Sequence, residues 1–307
     1  MRICSLLPSA TEIAFALGLD DSVVAVTHEC DYPPQARSKR VVVKSSIDPA
    51  SQSSAEIDKS IGERLKGNRG VYTIDLPRLR EADPDLILTQ ELCDVCAVDY
   101  DEVLSAARSL ARRPKIISLT PTLLAGVLRD IELVGEATGK QREAGAVVGR
   151  LSARIDRVRE QVAGAGYRPR VACMEWLDPI YIAGHWIPEM VELAGGRDEL
   201  GKKGLPSEKT SWDRVVQSAP EVIVLMPCGF EVERTMKELE LLPRLPGWAD
   251  LPAVRERRVF AVNGSAYFNR PGPRLVDGLE ILARLFHPKI FPAELDAETA
   301  RRVDPSA

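Results

Sequence analysis

The residues best suited to chemistry in this 307-residue chain are its six cysteines, most of which fall where predicted strands end. Cys93 and Cys96 come just after the apolar run at residues 85–89. Cys30 follows the run at residues 23–26 in the same way. In parallel α/β sheets the carboxyl ends of strands form the edge where ligands bind, so thiols at these positions suggest a site. The alternative is that they are small buried hydrophobic side chains.

The spacing of Cys93 and Cys96 lets two thiolates reach one metal ion or form a tight disulfide. Cys30 or His28 would complete a metal site from a neighbouring strand end, and Cys228 is a further candidate. One cysteine pair is a weaker signal than the two pairs of a typical zinc module. Free thiols in a loop therefore stay open as an alternative. For His28 the alternative is a hydrogen bond within its loop.

Composition excludes several classes of function. A net charge of −4 and a pI near 5.6 argue against a general nucleic-acid binder, which would carry a basic stripe. No apolar stretch approaches the ~18 residues that span a membrane. The sequence has no phosphate-binding loop, nucleophile elbow or paired-histidine motif. We therefore expect a non-catalytic protein that requires no cofactor.

The first residues bear on the compartment. Residues 2–7 read directly as a strand, with no charged and apolar leader before them. If Met1 is the native start, we expect a cytoplasmic protein with reduced thiols. If a leader has been removed, we expect a periplasmic or cell-surface location.

Alternating apolar runs and amphipathic segments predict an α/β protein with mostly parallel sheets. The predicted strands are residues 2–7, 23–27, 40–43, 86–89, 115–119, 170–175, 180–183, 222–225 and 259–262. The predicted helices are residues 10–17, 55–65, 100–111, 122–138, 141–163, 188–193, 212–218, 232–241 and 273–285.

One long helix is predicted to join two lobes. Residues 141–163 keep a 3.6-residue apolar period over ~35 Å. We therefore predict an N-terminal α/β lobe at residues 1–139, a backbone helix at 140–165 and a C-terminal α/β lobe at 166–291. The charged tail at residues 292–307 is expected to fray.

Aromatic residues are scarce, at 5% of the chain, so their positions carry information. Trp176, Trp186, Tyr267 and Phe268 follow predicted strands and would form a flat apolar wall for a large planar ligand. For Trp186 the alternative is packing against the helix that follows it. Arg270 would pair with acidic groups of a ligand, or with surface carboxylates.

Motifs along the chain resemble those of substrate-binding proteins of ABC importers, in the branch that takes up cobalamin and iron–siderophore or haem ligands. These motifs are LLPSATEI at residues 6–13, CDYPP at 30–34, ADPDLI at 82–87, ELAGG at 192–196 and YFNRPGPR at 267–274. The resemblance runs from residue 2 to residue 286 and looks closest to the cobalamin-binding members. It implies two Rossmann-like lobes joined by a single long α-helix, with a ligand cleft between the lobes.

The resemblance implies non-catalytic binding of cobalamin or a related corrinoid, in an ABC importer or a cytoplasmic relative of one. Pro8, Tyr32, Trp176, Tyr267 and Phe268 would approach the corrin. Our full candidate set for ligand binding is Pro8, Tyr32, Cys93, Trp176, Trp186, Tyr267, Phe268 and Arg270. The alternative is a haem-, siderophore- or metal-binding protein that uses Cys30, Cys93 and Cys96, with a metal ion at the last two.

The family also implies a permease partner. An acidic residue on each lobe docks with permease arginines, and the matching positions here are Asp101 or Glu102 and Glu231 or Glu233. Each of these is alternatively a solvated helix charge. We expect a monomer.

Two features depart from the family pattern. No leader or lipobox is visible, and residues 41–49 lack the usual tryptophan of the N-terminal lobe. The thiol-rich loop at residues 91–96 stands near the expected ligand instead. We therefore expect ligand specificity to depend on that loop.

Overall fold

The computed structural model describes residues 1–49, 51–67, 70–92 and 97–304. The chain divides into two compact units. Unit 1 comprises Met1–Gln52, Glu56–Pro121 and Ala125–Arg150, and unit 2 comprises Ser53–Ala55, Thr122–Leu124 and Leu151–Ala307. The α/β class and the two-lobe organisation are as predicted, whereas the exact domain boundaries given above stay a prediction.

The elements up to residue 163 alternate between strand and helix. The strands are β1 (Ile3–Ser5), β2 (Val23–Thr27), β3 (Arg40–Ser45), β4 (Tyr72–Ile74), β5 (Leu86–Thr89) and β6 (Lys115–Ser118). The helices are α1 (Pro8–Ala16), α2 (Ser54–Lys66), α3 (Leu76–Ala82), α4 (Tyr100–Arg108), α5 (Leu124–Thr138) and α6 (Gln141–Ala163). Two short 3-10 turns, Asp20–Ser22 and Pro34–Ser38, flank β2 and β3.

The described strands of unit 1 form one sheet in the order β4-β3-β2-β1-β5-β6. All neighbours run parallel except β4, which is antiparallel to β3. Because parallel strands end at the same edge, the segments after β1, β2 and β5 leave from one edge of the sheet. These segments carry Pro8, Cys30 and the Cys93–Cys96 pair, and that pair lies outside the described residues.

The helix prediction at residues 141–163 matches α6 residue for residue. Gly139 ends α5 with a φ of +73°, a left-handed conformation that glycine adopts without strain. The helical apolar period on either side of Gly139 was therefore enough to predict both α5 and α6. By its contacts, α6 contributes residues 141–150 to unit 1 and the rest to unit 2.

Unit 2 repeats the alternation with shorter elements. Its strands are β7 (Arg170–Leu177), β8 (Ile180–Ile182), β9 (Arg197–Asp198), β10 (Glu208–Lys209), β11 (Val222–Leu225), β12 (Val259–Val262) and β13 (Ala300–Arg302). Its helices are α7 (Ile187–Leu193), α8 (Trp212–Gln217), α9 (Val232–Met236), α10 (Pro252–Arg255), α11 (Gly264–Tyr267) and α12 (Leu275–Phe286). Two 3-10 helices, Leu239–Arg244 and Trp248–Asp250, lie between α9 and α10.

The sheet of unit 2 is mixed. The described strands follow the order β10-β8-β7-β11-β12-β13, and β9 pairs with β7. The central strands β7, β11 and β12 are parallel and mostly buried. On one side β8 pairs antiparallel with β7 and β10 pairs antiparallel with β8, and on the other side β13 pairs antiparallel with β12. Trp176 lies near the end of β7, and α11 follows β12.

The prediction of a frayed tail is wrong for residues 300–302. These residues form β13 and pair antiparallel with β12. Ala300 and Val303 are buried, so the tail places two apolar side chains in the core between charged ones. Asp296 caps the turn before the strand, since its carboxylate accepts the backbone N–H of Thr299 at 2.7 Å. Because charged residues surround Ala300 and Val303, these two apolar residues did not indicate a strand in the sequence.

Asp130 in α5 carries a carboxylate whose burial is expected to make the stability of the protein depend on pH. Its Oδ2 is buried without a hydrogen-bond partner in the described part of the chain. Burial raises the pKa of Asp130 from 3.8 to about 6, against a smaller lowering by Arg129. The folded protein therefore holds this proton more tightly than the unfolded chain does, and stability falls as pH rises from 3.8 through about 6.

We expect Asp130→Asn to unfold like the wild type at low pH and to be more stable by about 1 kcal/mol near neutral pH, allowing for partial solvent exposure. Urea unfolding at a series of pH values measures this difference. Glu132→Gln, an exposed change on the same helix, is the matched control. An Asp130→Asn advantage that is equal at all pH values would contradict the argument.

Candidate ligand-binding surfaces

Cys30 lies in the interior of unit 1 and is 3% exposed. Its Sγ is 3.1 Å from the Thr11 hydroxyl, which donates to it, and 3.3 Å from the Thr27 hydroxyl. Cys4, on β1, is in the core as well. Burial is the main cause that raises the pKa of the Cys4 thiol, and the nearby Cys30 raises it further. In this structure Cys30 is therefore a packed thiol between two hydroxyl groups.

His28 forms a hydrogen bond with a neighbouring strand instead of within its own loop, and its role as a metal ligand stays a prediction. Its Nδ1 is 3.2 Å from the carbonyl oxygen of Val43, and its ring centroid is 6.1 Å from that of Tyr72. Nε2 is 3.9 Å from a carboxylate oxygen of Glu29. These contacts hold the imidazole against β3 and β4.

The proposed metal ligands Cys93 and Cys96 lie outside the described residues, so their coordination stays a prediction. Within the residues that the structure does describe, no group of three or more His, Cys, Asp or Glu side chains is arranged to hold a metal ion. Cys228, partly buried after β11, is a free thiol whose backbone N–H donates to the carbonyl of Glu175 at 3.1 Å.

Pro8 and Tyr32 differ in what they offer a ligand. Pro8 is buried at the first turn of α1, where its fixed φ favours the start of a helix. Pro8 therefore has a structural role at the helix start, and its contact with a ligand stays a prediction. Tyr32 is 44% exposed on the segment after β2.

Trp176 is the aromatic residue of unit 2 at the strand end of β7, and it is partly buried. Its indole N–H donates to the carbonyls of Ser54 and Asp178, both at 3.1 Å. Its ring centroid lies 5.1 Å from that of Phe230 with the two planes tilted by 53°. This geometry is typical of a stabilising aromatic pair and fixes the indole.

Trp186 and Phe268 are core residues of unit 2, at 5% and 1% exposed. The indole N–H of Trp186 donates to the carbonyl of Phe268 at 2.8 Å, so each residue satisfies the other. Their contact with a ligand stays a prediction, and both rings are buried in this structure. Their positions after strands were right, but the side chains point inward.

Tyr267 and Arg270 keep part of their surface exposed. Tyr267 ends α11, a one-turn helix that the Asn263 side chain caps by accepting the Ala266 N–H at 2.9 Å. The Arg274 guanidinium lies 5.8 Å from the centre of the Tyr267 ring. Arg270 donates to the hydroxyl of Ser265 at 3.0 Å. A ligand role for both residues stays open to test.

A partly buried polar network forms around Glu175, the residue before Trp176. The Ser207 hydroxyl donates to the Glu175 carboxylate at 2.6 Å and accepts the Gly184 N–H at 3.0 Å. Burial raises the pKa of Glu175, although the bond from Ser207 opposes this. Cys173 lies on β7 together with Glu175. Burial raises the pKa of the Cys173 thiol, and the nearby carboxylate of Asp198 raises it further. The network secures the chain before β10 against β7.

Two of the four candidate docking carboxylates already have partners in their own unit. Glu102 accepts the backbone N–H of Ile74 at 3.1 Å, and Glu233 lies 3.2 Å from Arg301. Asp101 and Glu231 are exposed. These two are the better candidates for docking to another protein.

The identity of the family follows from comparison with known proteins. The sequence profile of the periplasmic binding proteins matches residues 3–266, which is most of the chain. The chain belongs to the periplasmic binding protein family. This periplasmic binding protein also has a chain fold close to that of a haem-binding member from Pseudomonas aeruginosa, with a TM-score of 0.73 and 18% identity. The match covers 98% of this chain and 97% of that one.

Two relatives match over almost the full length. The ABC transporter substrate-binding lipoprotein YvrC of Bacillus subtilis is 24% identical over 94% of this chain and 81% of its own. The vitamin B12-binding protein of Vibrio cholerae is 27% identical over 91% of this chain and 86% of its own. Both relatives are thus named as binding proteins, one of them as the substrate-binding lipoprotein of an ABC transporter. In the described part of the chain no helix is long and apolar enough to cross a membrane.

Sequence reasoning overlooked Phe230, Arg234 and Glu238, which are linked to Trp176 by contacts within unit 2. Phe230 is the aromatic partner of Trp176, and Arg234 stacks on Phe230 with its guanidinium carbon 4.2 Å from the ring centre. The four-residue interval between Arg234 and Glu238 was a readable sign of an ion pair on one helical face. No local pattern indicated that this pair would be linked to Trp176 through Phe230 and Ser54.

Proposed function

We propose that this chain binds cobalamin or a related corrinoid without catalysing a reaction, as the substrate-binding component of an ABC importer. The observation that carries the proposal is the match to a vitamin B12-binding protein along 91% of the chain. Partly exposed aromatic rings support it, namely Tyr32 in unit 1 and Trp176 and Tyr267 in unit 2. Flat rings of this kind suit the face of a large macrocycle.

The proposed partner is an ABC permease. Asp101 and Glu231 are the proposed docking residues, since both are exposed acidic groups at the start of helices. No cofactor is proposed beyond the bound ligand, and the chain is proposed to act as a monomer without nucleic acid. The cytoplasmic location expected from a native start at Met1 is tested by cell fractionation, because a relative carries the name of a lipoprotein.

Substitution of the exposed aromatics tests the binding surface. Trp176→Ala and Tyr267→Ala are each expected to weaken cobalamin binding about 10- to 100-fold, the range for removing a central aromatic contact. Calorimetric titration measures the affinity. Tyr167→Ala is the control, because Tyr167 is an exposed tyrosine of unit 2 that lies outside the proposed surface. Unchanged affinity in both variants would remove these residues from the site.

A haem, siderophore or metal ligand is the second candidate. The fold match to a haem-binding protein and the thiols at Cys93 and Cys96 favour it. Elemental analysis of protein purified without chelator separates the two if the metal is identified, because a bound corrinoid brings cobalt whereas haem and siderophores bring iron. Stoichiometric metal that is lost in the Cys93→Ser/Cys96→Ser variant would favour the second candidate, and its absence would reject a metal site at this pair.

A further inference from the structure

Trp176 belongs to a closed set of contacts in unit 2 that begins and ends at Ser54. The indole N–H of Trp176 donates to the Ser54 carbonyl at 3.1 Å. The Ser54 N–H in turn donates to Oε1 of Glu238 at 2.9 Å. Ser54 therefore contacts both residues through its backbone, and its side chain takes no part in either bond.

The same Glu238 oxygen closes the set from the other side. Arg234 donates to it at 2.6 Å, and the Arg234 guanidinium stacks on Phe230. Phe230 is the ring that packs on Trp176. Glu238 is thus linked to Trp176 through Ser54 in one direction and through Arg234 and Phe230 in the other.

Burial makes these links effective. Glu238 is 8% exposed and Ser54 is 1% exposed, so water does not compete freely for their hydrogen bonds. A charge-assisted bond in such surroundings is stronger than one between neutral groups at a surface. The Ser54 N–H that Glu238 accepts is one of the backbone donors at a helix start that have no partner within the helix.

We propose that Glu238 is a positioning residue for the ligand site: it holds Ser54 against the indole of Trp176 and thereby fixes the orientation of that ring. Glu238 acts through Ser54 and Arg234 and does not itself contact the ligand. The proposal deepens the proposed function, since it assigns a residue that sets the affinity of the aromatic surface. The orientation of Trp176 is nevertheless measurable without any ligand.

The first test is hydrogen exchange at the indole N–H groups of the ligand-free protein, observed by NMR. The chain has four tryptophans, and Trp176→Phe identifies the Trp176 signal. We expect Glu238→Ala to speed exchange at Trp176 about fivefold or more, as for the loss of one buried hydrogen bond. The indole of Trp186 is the internal reference, because its bond to Phe268 does not depend on Glu238.

Two further variants separate positioning from general damage to the fold. Glu238→Gln keeps an oxygen that accepts the Ser54 N–H, so we expect exchange at Trp176 to return most of the way to the wild-type rate. Ser54→Ala keeps both backbone groups and is expected to leave exchange at Trp176 unchanged. Equal acceleration at Trp176 and Trp186 in Glu238→Ala, or none at Trp176, would overturn the proposal.

Cobalamin titration of the same variants gives the second readout. If the wild type binds, we expect Glu238→Ala to weaken binding about fivefold, with Glu238→Gln close to the wild type. Unchanged affinity in Glu238→Ala would contradict a role in the site. If the wild type does not bind cobalamin, the proposed function fails, while the exchange result still decides whether Glu238 positions Trp176.

Discussion

Replacing Gly278 with alanine is expected to lower the free energy of unfolding by about 2–3 kcal/mol, although alanine is the better helix former. Gly278 lies within α12, and an added Cβ would run into the carbonyl oxygen of Tyr267. It would also lie 3.1 Å from Met190 Cε and 3.2 Å from Phe268 Cε1. The carbonyl belongs to backbone, so relief requires α11 to shift.

The control is the same substitution in a helix with open space. At Gly149 in α6 an added Cβ meets no atom within 4 Å, so Gly149→Ala is expected to stabilise by up to about 1 kcal/mol. If close packing against Tyr267 is decisive, urea unfolding will show a lower free energy of unfolding for Gly278→Ala and a higher one for Gly149→Ala. Stabilisation by both would contradict the tight contact between α12 and α11.

Arg154→Ala is expected to cost about 2 kcal/mol, between the values for exposed and for buried ion pairs. From α6, the Arg154 guanidinium donates two bonds of 2.9 Å to the Glu280 carboxylate and a third to Asp277, both on α12. The bonds to Glu280 are the largest cause of the raised pKa of Arg154, and burial of the guanidinium acts in the opposite direction. Loss of the arginine leaves two carboxylates close together without their shared partner.

A neighbouring ion pair provides the comparison. Arg159 on the same helix lies 2.8 Å from Asp156 but is well exposed, so Arg159→Ala is expected to change stability by less than about 0.5 kcal/mol. Arg154→Lys keeps the charge but not the paired geometry and should fall between wild type and Arg154→Ala. Equal small effects of Arg154→Ala and Arg159→Ala in chemical unfolding would show that the α6–α12 network contributes no more than a surface pair.

The fold was largely predictable because its main elements carry strong local patterns. The buried runs at β2, β5, β11 and β12 match their predicted ranges, as does α6. The elements that were missed are short or polar. The strands β9 and β10 have two residues each, so too few side chains are present to show an alternation.

The candidate site was less predictable, because position after a strand does not determine where a side chain points. Trp186 and Phe268 follow strands as expected, yet they bond to each other in the core. Cys30 follows β2 and is enclosed by two threonines. The bond between Ser54 and Glu238 joins residues 184 apart in sequence, which no local pattern indicates.

Equilibrium dialysis of the full chain against cobalamin tests the central claim most directly. At about 10 μM protein we predict that roughly one equivalent of the coloured ligand is retained, which corresponds to a Kd near or below 1 μM. Haemin and a ferric siderophore, dialysed in parallel, distinguish the related ligands. Retention of cobalamin no greater than in a protein-free chamber would contradict the account.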